Sequence, residues 1–134
     1  MAEKLGIAVC LNQRGRYLSI GQQQRAMIAR ELVYDPKILL MDEPFSSLDP
    51  TLRKEMCKLV KSLQKELGVT VIYVTHSYDE AINLADELFI LEEGKVVASG
   101  TPKKLIADNN EYLEMMYKSE YISAGEIHEK EKDD

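Results

Sequence analysis

The sequence predicts an α/β fold: parallel strands with flanking helices, then a C-terminal β-hairpin and short helices. Three observations lead there. An apolar run, Ile38-Leu39-Leu40-Met41, ends abruptly in Asp42-Glu43, as a buried strand does when it delivers acids to the edge of a sheet. A second apolar and β-branched run, Val69 to Thr75, follows one long amphipathic segment. Strand, helix, strand implies a parallel pair with a right-handed crossover. Finally, Glu93-Gly94 separates two strand-like runs, residues 87–92 and 95–99, which is the pattern of a tight hairpin.

Taken in order, the chain opens ambiguously. Leu5, Ile7, Val9 and Leu11 alternate, which by itself reads as a strand. Leu18-Ser19-Ile20-Gly21-Gln22-Gln23-Gln24-Arg25 then starts a helix over residues 20–34. Ser19 caps it and Gln22, three residues on, completes a capping box. Ala26, Ile28, Ala29, Leu32 and Val33 lie on or near one face, Gln24-Arg25 reads as solvated, and Asp35-Pro36 stops the helix. After the first strand, residues 44–48 form a loop. Asp49 caps the next helix with Pro50 at its first position, and Gly68 closes it. Leu52, Met56, Leu59, Val60 and Leu63 are its expected contacts with the sheet, Leu59 among the buried ones. Ser77 and Glu80 form another capping box, for a helix to about Leu84. Thr101-Pro102 begins a helix to about Ala107, and residues 110–118 form another. From Lys118 to Asp134 acids outnumber lysines, so this stretch reads as a mobile tail in which His128 is solvent-exposed.

Composition narrows the function. A length of 134 residues suits one small domain, and 45% hydrophobic residues is ordinary for a globular chain. A net charge of −6 argues against non-specific nucleic-acid binding. No apolar run approaches the roughly 18–20 residues that span a bilayer, and no secretory signal opens the sequence. Cys10 and Cys57 fall in no metal or redox spacing and read as reduced cytosolic thiols.

The chemistry lies in two segments. A helix that begins after a small polar residue and a glycine presents N–H groups and the positive end of its dipole, which suits a phosphate. A strand ending in Asp-Glu supplies the acids that a nucleoside-triphosphate site needs. Mg²⁺ takes oxygen ligands, often one or two carboxylates with water and phosphate completing the set, so Asp42 is the candidate metal ligand. Glu43 is the candidate for orienting and polarising the attacking water.

These residues carry a resemblance. Leu18-Ser19-Ile20-Gly21-Gln22 is similar to the LSGGQ signature, with Ile20 in place of a glycine, and Leu39 to Pro44 is similar to a Walker B strand with its following glutamate. Ser47-Leu48-Asp49 matches a D-loop and Thr75-His76-Ser77 a switch-histidine loop. The chain therefore resembles the C-terminal half of an ABC-transporter nucleotide-binding domain over roughly residues 3–107. Ser77-Tyr78-Asp79-Glu80-Ala81 and Gly100-Thr101-Pro102 point to the importer type. The resemblance implies part of a P-loop NTPase-like fold, with residues 3–17 ending a helical subdomain, residues 1–117 forming the half-domain and residues 118–134 the tail. It implies ATP and Mg²⁺, with Glu43 and His76 catalytic. Ser19, Gly21 and Gln22 would serve a nucleotide held by the opposite subunit, Ile20 weakening that contact, and Asp49 would cross the dimer interface. The implied partners are a second copy or another ABC ATPase chain and a membrane permease, with no nucleic acid. The implied location is cytoplasmic, peripheral on the inner face of the membrane.

A Walker A loop, Gly, four residues, then Gly-Lys-Ser/Thr, is not in this sequence. Its one Gly-Lys, Gly94-Lys95, has Phe89 and Val96 at the flanking positions. The chain alone is expected to be inactive, and its half-sheet to expose an edge and an apolar face that favour self-association. Two other readings follow: a non-catalytic interaction module that pairs with an intact ABC ATPase, or a sheet remnant stable only as an oligomer.

Overall fold

The computed structural model describes residues 1–130, and side chains through residue 122. The side chain of His128 and residues 131–134 lie outside the described residues. Secondary structure runs α1 (Ile20–Leu32), β1 (Ile38–Asp42), α2 (Pro50–Leu67), β2 (Thr70–Val74), α3 (Tyr78–Leu84), β3 (Leu88–Glu92), β4 (Lys95–Gly100), α4 (Pro102–Ala107) and α5 (Glu111–Lys130). These form two units, Met1–Val74 and Thr75–Asp134.

In the first unit β1 and β2 pair in parallel, Leu39 opposite Val71 and Asp42 opposite Val74, with α2 as the crossover. The expected parallel pair is present. Its burial differs from that of a fully buried strand: Leu39 and Met41 are buried, while Ile38, Leu40, Ile72 and Val74 are exposed. Helices α1 and α2 cover only one face. Ile28 and Leu32 from α1 and Val60 and Leu63 from α2 surround a small apolar gap with Leu39, Met41 and Val71. On α2 the buried positions are Met56, Cys57, Val60 and Leu63. Leu59, expected to be buried, is only half-buried, and Cys57 takes the inward place. Leu59 lies one position before the inward-facing Val60, and one step of about 100° on a 3.6-residue helix moves it from core to flank.

The first seventeen residues form no strand. They make turns and two short 3-10 helices, Ala8–Cys10 and Gly15–Tyr17. Leu5, Ile7 and Cys10 are buried while Val9 and Leu11 are exposed, a spacing set by turns rather than by a pleat. Arg25, read from sequence as solvated, holds this segment: its guanidinium donates to the Leu5 carbonyl at 3.3 Å.

In the second unit β3 and β4 form an antiparallel pair closed by Glu93 and Gly94, both with positive φ (49° and 75°), as a tight hairpin with a right-handed twist requires. Leu105 of α4 and Leu113 of α5 are buried. Helix α5 continues through position 118, where the sequence suggests a tail, and reaches Lys130. Its contacts with α3 are long-range and leave no local signal. Tyr78 meets Tyr117 edge-on at 5.2 Å, Tyr117 packs on Tyr121 at 4.8 Å, and the Tyr121 hydroxyl donates to Asp79 at 2.5 Å. Among the described residues no helix is long and apolar enough to cross a membrane.

Candidate nucleotide site

Asp42 ends β1 and is exposed at the C-terminal edge of the parallel pair. Glu43 follows with φ 43°, a left-handed backbone that a glutamate rarely adopts. Hydrogen bonds on both sides of it hold it there. The Glu43 N–H donates to the Val74 carbonyl at 2.8 Å, and the Glu43 carbonyl accepts the Ser46 hydroxyl at 3.2 Å. The loop after it is anchored by Phe45, 0% exposed and 6.1 Å from the Tyr73 ring, and by buried Leu48. Arg53 of α2 donates to the Leu48 carbonyl at 3.0 Å. Apolar anchors inward and tied carbonyls leave the two carboxylates facing out. The loop is internally braced.

The start of α1 is built as its sequence predicts. Gln22 N–H donates to Ser19 Oγ at 3.2 Å, and Ser19 N–H donates to the Gln22 side-chain oxygen at 2.9 Å, a complete capping box. Gly21 is buried, and a Cβ built there would lie 3.1 Å from a Leu52 methyl of α2. Glycine at this position thus has a packing reason beside any phosphate contact: it lets the two helices approach closely. Asp49 caps α2, accepting from Thr51 and Leu52 N–H groups at 3.1 and 3.0 Å. Leu52 is therefore where the two helix starts meet, and Ser19, Gly21 and Gln22 are brought to the same end of the unit as Asp49.

His76 belongs to the second unit and is exposed. Its neighbours are held. Ser77 Oγ caps α3 through the Glu80 N–H at 3.4 Å. The expected return bond of a capping box is replaced by Thr75: its hydroxyl accepts the Ser77 N–H at 3.0 Å and donates to the Glu80 carboxylate at 2.6 Å. Sequence reasoning missed Glu120 of α5, which accepts from the Ser77 hydroxyl at 2.8 Å and the Tyr78 N–H at 2.5 Å. No local pattern marks a cap that arrives from 42 residues away.

Comparison with known proteins agrees with this architecture. The family model described as ABC transporter matches residues 1–46. The spermidine/putrescine import ATP-binding protein PotA of Clostridium novyi is 51% identical over 88 residues, 66% of this chain and 25% of that protein. The glycine betaine transport ATP-binding protein OpuAA of Bacillus subtilis is 42% identical over 115 residues, 82% of this chain and 28% of that protein. The structure of cbiO1 from Clostridium perfringens, part of the ABC transporter complex cbiONQ, superposes with a TM-score of 0.75 at 34% identity, covering 96% of this chain and 50% of that one. The chain belongs to the ABC-transporter ATP-binding family, with the P-loop NTPase fold of its structural neighbours. Its relatives include ATP-binding proteins of import systems, PotA among them. It spans about a quarter of the length of the curated relatives it matches.

Proposed function

We propose that this chain contributes the signature, Walker B and switch-histidine elements of an ABC importer ATPase, and that with a Walker A segment it couples ATP binding and hydrolysis to transport. The observation that carries the reading is Glu43: a carboxylate held at φ 43° directly after the strand-ending Asp42. Backbone strain of this kind, costing on the order of 1–3 kcal/mol, persists where surrounding structure over-determines it, and functional sites are where it concentrates. Asp42 fits a Mg²⁺ that keeps water and phosphate among its ligands, because one exposed carboxylate is all the protein need supply. The ion would neutralise charge on the phosphates. Glu43 would orient the attacking water and draw off its proton, and His76 would reach the terminal phosphate. Ser19, Gly21 and Gln22 would serve a nucleotide on the opposite subunit, and Asp49 the interface between the two. The partners are a second ATPase chain and a membrane permease, with the assembly on the cytoplasmic face of the membrane. Residues 1–117 would form the half-domain that does this.

A chimera tests the reading. A segment bearing a Gly-x4-Gly-Lys-Ser/Thr loop from an ABC ATPase is fused ahead of the chain, and ATP hydrolysis is measured with and without Glu43→Gln. Hydrolysis that falls by about 10² or more on that substitution is expected. A chimera that binds and hydrolyses ATP regardless of Glu43 refutes it. The 134-residue chain alone is expected to hydrolyse ATP at background.

A second reading rests on the exposed Ile38, Leu40, Ile72 and Val74. An uncovered apolar sheet face would let the chain act as a non-catalytic module that pairs with an intact ABC ATPase. Co-purification with such an ATPase that leaves Glu43→Gln without effect would favour it.

A further inference from the structure

His76 stands between two residues whose hydroxyls are both tied. On one side, Thr75 donates to the carboxylate of Glu80, which is 5% exposed. On the other, Ser77, 7% exposed, donates to Glu120. The Glu120 carboxylate accepts more than one hydrogen bond. One oxygen takes the Ser77 hydroxyl at 2.8 Å, and the other takes the Tyr78 and Asp79 N–H groups at 2.5 and 3.4 Å. The first turn of α3 leaves N–H groups without intrahelical partners, and an ionised acceptor satisfies them more strongly than a neutral one. Thr75 and Glu80 are supplied from within the loop and α3. Glu120 arrives from α5.

We propose that Glu120 is a positioning residue for His76, and that α5 is a strap whose docking on the first turn of α3 sets the orientation of the His76 loop. The proposal rests on the reading of His76 as the phosphate-facing histidine. Docking of α5 is then linked to the catalytic loop: whatever draws α5 away releases Ser77 and Tyr78, and with them the constraint on the residue just before. The aromatic contacts of Tyr117 and Tyr121 hold α5 on the side of α3, whereas Glu120 is the α5 residue that reaches the loop itself.

The experiment is solution NMR on the isotopically labelled full chain. The sequence has 2 histidines, so His76→Gln assigns the ring signal of His76 without ambiguity. Three variants are compared. Glu120→Ala removes both acceptor oxygens. Glu120→Gln keeps one and the side-chain shape, and serves if the alanine variant folds poorly. Tyr121→Phe removes the Tyr121–Asp79 hydrogen bond between α5 and α3 and leaves Glu120 in place. In Glu120→Ala the Tyr78 and Asp79 amides should exchange with solvent about tenfold faster or more, and the His76 ring resonances should shift or broaden. Glu120→Gln should show the same changes at smaller size, and Tyr121→Phe should leave the His76 ring signals unmoved. An unmoved His76 ring in both Glu120 variants overturns the proposal. So does a Tyr121→Phe spectrum with the same His76 changes, which would make Glu120 one docking contact among several. None of these readouts uses ATP, so the strap can fail while the chimera assay still supports the ATPase reading, and the reverse.

Discussion

The Glu43 N–H donates to the Val74 carbonyl at 2.8 Å, one step past the last residue pair of the parallel ladder, and does so with φ 43°. The end of β2 thereby fixes the backbone of the residue that follows β1.

That strain can be measured. Asparagine tolerates the left-handed region better than glutamate. Glu43→Asn should therefore stabilise the chain by about 1 kcal/mol in urea unfolding, while abolishing hydrolysis in the chimera. A variant that is both less stable and active would show that the backbone geometry serves neither strain nor catalysis.

Core burial on α2 separates two leucine-sized positions. Met56 is 0% exposed, and Met56→Ala should cost roughly 2–5 kcal/mol. Leu59 is half-buried, so Leu59→Ala should cost about 1–2 kcal/mol. Paired denaturant titrations of the two variants check the order.

Asp49 accepts from two N–H groups at the start of α2. Loss of an N-cap costs about 1 kcal/mol, and Asp49→Ala should show that loss in the chain alone, with no partner present. Asp49→Ser, which keeps a capping oxygen, should restore most of it.

Tyr121 is pushed up to about 12, first by its hydrogen bond to Asp79, then by burial and the nearby negative charge. The folded state holds this phenol neutral while the unfolded chain ionises near 10. Its contribution to stability is thus fully present below about pH 10 and is lost as pH rises toward about 12. An ultraviolet titration should show a tyrosine ionising near pH 12, and that component should be lost in Tyr121→Phe.

The exposed Ile38, Leu40, Ile72 and Val74 make one face of the β1–β2 pair apolar and open. The purified chain should self-associate, and light scattering over a concentration series should report masses above 15.3 kDa. Leu40→Lys with Ile72→Lys should return it to monomer. A wild-type chain that stays monomeric at high concentration would show that this face does not drive association.

Local chemistry was enough for much of this protein. Ser19 with Gln22, Asp49 with Pro50, Gly68, and Glu93-Gly94 each set an element boundary through bonds spanning at most a few residues, so their signals are written side by side in the sequence. The run ending in Asp42-Glu43 placed two candidate acids at a strand end for the same reason. Tertiary structure decided what depends on distant partners. The alternation of Leu5, Ile7, Val9 and Leu11 lost to turns braced by Arg25. Cys57 rather than Leu59 entered the core, because helix rotation is chosen by the packing of α1 and the sheet. Gly21 found its packing role only once Leu52 came against it. Glu120 became a cap, and α5 grew past residue 118, because a carboxylate and two tyrosine rings met α3 across some forty residues of chain. Such bonds depend on which surfaces the fold brings together, and no window of neighbouring residues encodes them.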